Sequence, residues 1–180
     1  MFQDRFDRLL FAGLLLTVAV LAGLLITAPI DASHVSGRVM DRQLEQEMSY
    51  QARIAFLTRR YQPVIVQLGQ GALPEALLTL EEISRDLPGE VHSDLLRGDV
   101  FFRMGQLDRA LTNLAVAVRQ NPDYVDSASP LNQRQLIDAV VSQGMPQLRD
   151  RLRAQPGNRS LEQVLKDGYY LQSRLAGGCE

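Results

Sequence analysis

Hydrophobic residues change their spacing twice along this chain. From Leu9 to Ile30 they run without a single charge, LLFAGLLLTVAVLAGLLITAPI. A helix rises about 1.5 Å per residue, so this run reaches roughly 33 Å, against a bilayer hydrocarbon core of about 30 Å. It predicts one transmembrane helix over 9–30, preceded by a short tail at 1–8. A buried core helix rarely stays free of charge for so long. A cleaved leader needs small residues before the cut. Cuts after Ala28 or Ala32 have Ile26 or Ile30 upstream, and the first would precede Pro29. No Cys follows the run, which excludes a lipoprotein anchor, so a permanent signal anchor is the expectation.

From Ser36 to Arg60, Val39, Met40, Leu44, Met48 and Phe56 are scattered among charges, which predicts a linker or stalk helix over 31–56. It has three candidate roles: continuing the membrane helix, forming the front helix of the first repeat unit, or pairing with another chain. Its heptad phasing is too short and broken for a coiled coil.

Beyond Leu57 the apolar spacing becomes helical and then repeats. GALPEALLTLEEISRDLP starts at Gly71 and GQLDRALTNLAVAVRQNP at Gly105, 34 residues later, with seven of eighteen positions identical. The shared Leu73/Leu107, Ala76/Ala110, Leu77/Leu111 and Leu80/Leu114 lie on one helical stripe. Gly71/Gly105 precede each stripe and Pro88/Pro122 follow it. Glycine accepts a turn geometry costly for other residues, alanine on the facing stripe lets two helices approach, and proline ends the second helix. In the helix before the second stripe, Gly98 and Phe101 lie about one turn apart. In the earlier unit Val64 and Gln67 take their places, and Pro63 is expected to interrupt the helix.

After Tyr124, VDSASPLN reads as an irregular connector. Gly144 and Pro146 then predict a turn between LNQRQLIDAVVSQG and MPQLRDRLRAQPG, with Ile137, Val140 and Val141 against Leu148 and Leu152. This gives a degenerate third hairpin over 123–157. A last helix, in the segment 158–180, is expected to start at Ser160 with a capping box to Gln163 and to end at Gly177–Gly178. Its Leu161, Val164, Leu165, Tyr169, Leu171 and Leu175 would cover the end of the stack. The predicted fold is all-α.

Gly98, Phe101, Gly105, Ala110, Leu114, Ala117 and Pro122 together resemble the tetratricopeptide repeat (TPR). The resemblance covers Leu57 to Pro122, two repeats, and implies a short α-solenoid with a C-terminal capping helix. It departs from the family near the start of the first helix, where the large apolar residue is displaced to Leu95 and Leu96. Such stacks expose their first helices on a concave face that takes a peptide or helix. The positions this implies are Tyr61, Ile65 and Leu68 from one unit, and His92, Leu95, Asp99, Phe102 and Arg103 from the next. Tyr61 and Phe102 would be aromatic anchors, and Asp99 and Arg103 would select charge and register. The alternative is that the C-terminal helices fill the groove themselves. Repeats that grip a chaperone's terminal carboxylate use Lys, Asn and Arg at groove positions. This chain offers Tyr61, Ile65, Leu95 and Asp99, so a carboxylate clamp is not predicted.

Composition narrows the chemistry. The chain has 180 residues, a formal net charge of −2, two His, one Cys and no Trp. His34 and His92 are far apart, and no CxxC, HExxH, GxSxG or phosphate-binding glycine loop occurs. No catalytic residue, cofactor or metal is expected. Glu81 and Glu82 read as solvated charges. No basic stripe interleaved with aromatics suggests nucleic acid. Arg149, Arg151, Arg153 and Arg159 read as a solvated face, with an acidic partner or lipid headgroups as alternatives. Cys179 is an exposed terminal thiol or an intermolecular link. Arg5 and Arg8 before the run balance Arg38 and Arg42 after it. The short amino-terminal tail then favours a cytoplasmic N-terminus and a periplasmic domain. Arginine supplies all basic residues but Lys166, as in a GC-rich bacterial genome. The expectation is a single-pass, membrane-anchored adaptor that binds another protein while an envelope or membrane complex is assembled or stabilised. Its layout is similar to anchored TPR proteins that assist the secretion translocon and cytochrome c maturation. The alternatives are a permanent subunit of a larger machine and an enzyme with an unrecognised site.

Overall fold

Helices account for all the regular structure among the described residues, which in this computed structural model are 14–21 and 31–177, with side chains in the second stretch described from Leu44 onward. The chain divides into two units, Met1–Gln51 and Ala52–Glu180. In the first, residues 14–21 are helical (α1) and leave Leu14, Leu15, Leu16, Val18, Val20 and Leu21 exposed. Most of the membrane span expected over 9–30 lies outside the described residues. Among the described residues no helix is long and apolar enough to cross a membrane.

Helix α2, Asp31–Gly69, is continuous over 39 residues with Pro63 inside it. The interruption expected at Pro63 does not occur, and residues 31–56 and 57–69 belong to one helix. A proline inside a helix costs about 3 kcal/mol through a lost N–H and a clash with the preceding turn. Here Tyr61 and Val64, on either side of Pro63, are fully buried, and their burial holds the helical path.

In the second unit the 34-residue echo is reproduced in the backbone. Helix α3 is Leu73–Asp86 and α5 is Leu107–Gln120, so both ends are displaced by the same interval. Gly71 and Gly105 both have φ of 73°, a left-handed conformation that disfavours side chains. Each turn closes alike: Ala72 N–H donates to the Gln67 carbonyl at 2.9 Å, and Gln106 N–H to that of Phe101 at 2.8 Å. Between them α4, His92–Arg103, packs on both α3 and α5. Leu57/Val91, Tyr61/Leu95 and Val64/Gly98, again 34 apart, are all buried.

Helix α5 is the centre of the unit. Its Ala110, Leu111, Leu114, Ala115, Ala117 and Val118 are buried, and α4, α6 and α7 all pack against it. The crossings use missing side chains. A Cβ on Gly98 would lie 2.7 Å from Leu114 Cγ, one on Gly144 would lie 2.9 Å from Leu111 Cδ1, and one on Gly168 would fall on Met145 Sδ.

That use of Gly144 overturns the predicted third hairpin. Helix α6, Arg134–Ala154, passes through Gly144 and Pro146 without a turn, because the glycine serves close approach to α5 rather than chain reversal. The reversal comes at Gly157, with φ of 86°, and the third hairpin is α6 with α7, Arg159–Leu175. The helix assigned as a separate cap is therefore half of that hairpin. Its N-cap is Asn158, whose side chain accepts from the N–H groups of Ser160 and Leu161, in place of the box predicted from Ser160. Leu161, Val164, Leu171 and Leu175 are buried as expected and Leu165 packs on the core, but Tyr169 is 49% exposed. The connector contributes to the core through Val125 and Leu131, and a 3₁₀ turn, Pro122–Tyr124, precedes it.

Candidate protein-binding surface

The eight residues expected to line a groove divide between core and surface. Leu68 and Leu95 are buried because α2 and α4 turn them toward the shared core, so neither offers a contact face. Tyr61 is completely buried as well. Its Oη lies 2.7 Å from Ser93 Oγ, and its ring meets that of His92 edge-on at 4.8 Å between centroids. Burial pushes the phenol pKa upward. The proposed anchor is thus a structural tyrosine whose polar tip is satisfied inside the protein.

His92 belongs to the same cluster. Its Nδ1 lies 3.0 Å from Tyr124 Oη, and the two rings are tilted at 5.8 Å. Burial lowers the imidazole pKa to about 4, with Glu90 opposing and Arg53 adding to the shift. At neutral pH the ring is uncharged and joins α4 to the turn at Tyr124. Sequence reasoning missed Tyr124 and Ser93. One signal was present: Tyr124 is an isolated aromatic in the polar stretch NPDYVDS, directly after the second repeat.

The accessible remainder is Ile65, Asp99, Phe102 and Arg103. Ile65 is 43% exposed and occupies in α2 the register of Asp99 in α4. Phe102 is partly exposed where its counterpart Leu68 is buried. Arg103 donates from Nε and Nη2 to the two Asp99 carboxylate oxygens, at 2.8 and 3.3 Å, and from Nη1 to the Leu68 carbonyl at 3.4 Å. The hydrogen bond to Asp99 raises the Arg103 pKa. This pair presents one fixed fork beside an aromatic ring and ties α4 to α2. Gln67, in the register of Phe101, has a buried Oε1 with no hydrogen-bond partner among the described residues.

The basic cluster is largely consumed within the chain. Arg151 holds both oxygens of Asp108 at 2.8 and 2.7 Å, Arg153 reaches Asp150 at 3.1 Å, and Arg149 Nε donates to the Met145 carbonyl at 3.3 Å. A further ionic site was not foreseen: buried Asp167 accepts from Arg119 at 2.6 Å, and Arg119 also lies over the Tyr170 ring at 4.7 Å. Its repeat counterpart, Arg85, bonds only locally, to Glu81 at 2.6 Å. Cys179 lies outside the described residues. Among the described residues no group of three or more His, Cys, Asp or Glu side chains is placed to hold a metal ion. No protein-family model matches the chain, and neither curated proteins nor solved structures give a match.

Proposed function

We propose that this chain is a membrane-anchored adaptor whose helical hairpins, of TPR type, bind another protein and assist assembly or stabilisation of an envelope or membrane complex. The observation that carries it is the 34-residue recurrence of α3 and α5 with their matching Gly71 and Gly105 turns. In a stack of such hairpins the front helices share one face. Here that face offers Ile65, Phe102 and the Asp99–Arg103 fork, an apolar and aromatic patch beside a fixed charge pair. The uncharged run from Leu9 to Ile30 supplies the anchor, with the hairpins on the periplasmic side of a bacterial inner membrane. Tethering raises local partner concentration, so a weak contact face suffices.

The test is a photoreactive residue at position 102 of the full chain, with captured chains identified by mass spectrometry. Capture of a membrane or secreted protein, lost on Ile65→Ala or Arg103→Ala with helicity unchanged, is expected. Capture indifferent to both changes would discard the face. A second reading, a permanent structural subunit, is favoured by the exposure of Leu44 and Met48 in the first unit. Stoichiometric co-purification in mild detergent distinguishes it.

A further inference from the structure

Two exposed apolar residues of the first hairpin stand among opposite charges at the same spacing. Phe56, 49% exposed on α2, has arginines three residues before it and three and four after it: Arg53, Arg59 and Arg60. Leu78, 63% exposed on α3, has glutamates at the same offsets: Glu75, Glu81 and Glu82. Offsets of three and four put each charge beside the apolar residue on one side of its helix. Part of this charge is spent within the chain, where Arg53 pairs with Glu90, Arg60 with Asp86 and Arg85 with Glu81. Arg59, Glu75 and Glu82 form no ion pair among the described residues.

Packing within the chain shows what such a stripe meets. On α4, Ser93 and Arg97 face the hairpin before them: Ser93 Oγ lies 2.7 Å from Tyr61 Oη of α2, and Arg97 donates to Ser84 Oγ of α3 at 2.7 Å. Val100, one turn beyond Arg97, is fully buried. The positions 34 residues earlier on α2 are Arg59, Pro63 and Val66, where Val66 is 45% exposed. Phe56, one turn before Arg59, continues that stripe. On α3, Leu78 lies two residues from each of the fully buried Ala76 and Leu80, so it too points away from the core. The first hairpin therefore ends the stack in a surface of the kind that another hairpin covers at α4, and this surface carries both halves of a charge match.

We propose that two copies of this chain pair through their first hairpins about a two-fold axis, with Phe56 and Val66 of each α2 packed against Leu78 of the other copy's α3 and Arg59 meeting Glu75 and Glu82. A two-fold interface requires one surface to be complementary to itself. Arginines around Phe56 and glutamates around Leu78, on consecutive helices of one hairpin, meet that requirement, whereas pairing either stripe with its own copy sets like charges together. An unrelated partner would have to supply both signs at the same spacing, so the charge pattern selects a second copy. The surface is separate from the Phe102 face and stands without the adaptor reading.

A photoreactive residue at position 78 of the full chain, expressed together with a differently tagged second copy, tests the proposal. Expected is a crosslink between copies that maps to residues 52–66 of the second. Arg59→Glu in both copies should reduce it at least tenfold, and so should Glu75→Arg with Glu82→Arg in both. One copy of each kind should restore it, because every α2 then meets an α3 of opposite charge, and that recovery also shows that both variants fold. Crosslinks to another protein, to lipid or to residues 44–48 of the second copy would overturn the proposal. So would no crosslink, equal yields from all combinations, or no recovery in the mixed pair. Loss of all capture from position 102 with this pairing retained would sink the adaptor face and leave the dimer standing.

Discussion

Replacing Gly98 by alanine opposes two effects of known size. Alanine restricts the unfolded chain and favours helix, which should stabilise α4 by about 0.5–1 kcal/mol. The added Cβ, however, would stand 2.7 Å from both Cγ and Cδ2 of Leu114, a residue with no exposed surface. Overpacking of that kind costs about 1–3 kcal/mol. The clash should win by about 1 kcal/mol, roughly a fivefold drop in the folding constant. The branch atom of Leu114 sits close to its own backbone, so it moves away only if α5 moves with it. At Gly168 the obstacle is Met145 Sδ, part of a flexible side chain that swings aside cheaply, so Gly168→Ala should cost less despite the closer approach. Urea unfolding of the full chain in detergent, followed by circular dichroism, measures both. A double-mutant cycle isolates the contact. Leu114→Ala alone should cost about 2–5 kcal/mol, and on that background Gly98→Ala should become stabilising. If Gly98→Ala stabilises the parent protein, or has the same effect on both backgrounds, α4 and α5 do not cross at this glycine.

Three further outcomes are expected. Because His92 has a folded pKa of about 4, below its ordinary value of 6.5, the unfolded chain binds more protons between those values. Stability should therefore fall as pH drops from 6.5 to 4, by at most about 3 kcal/mol, and level off below. His92→Gln should flatten that slope in pH-dependent denaturation, and an unchanged slope would remove His92 as its source. Asp167→Asn should cost about 1–2 kcal/mol in the same unfolding assay, a buried-pair loss discounted because Arg119 is 42% exposed. Arg85→Ala, at the repeat counterpart of Arg119, should stay within about 0.5 kcal/mol, and equal costs would contradict the different partners of the two arginines. Asn158→Ala should cost about 1 kcal/mol of stability and Ser160→Ala little, with the reverse order pointing back to Ser160 as the cap.

Helix identity and the 34-residue period could be read directly because both are local. A stripe at 3.6-residue spacing and a glycine forced into a left-handed turn act within one or two helical turns of themselves. For that reason α3 and α5 have the bounds their apolar residues imply, and Gly71 and Gly105 repeat one geometry. A stripe shows which residues share a side of a helix. It does not show which neighbour covers that side. Tertiary packing alone placed Tyr61 in the core beside Ser93 and His92 instead of on a contact face. It carried α2 through Pro63 and α6 through Pro146, where burial of neighbouring side chains outweighs the local cost of proline. It gave Gly144 a crossing to serve where a turn was expected, and so paired α6 with α7. It also sent two arginines at equivalent repeat positions to different partners, since only Arg119 has α7 within reach. Local geometry is written in neighbouring residues, whereas burial depends on chain segments far away in sequence, and in this molecule burial decided every position where the two conflicted.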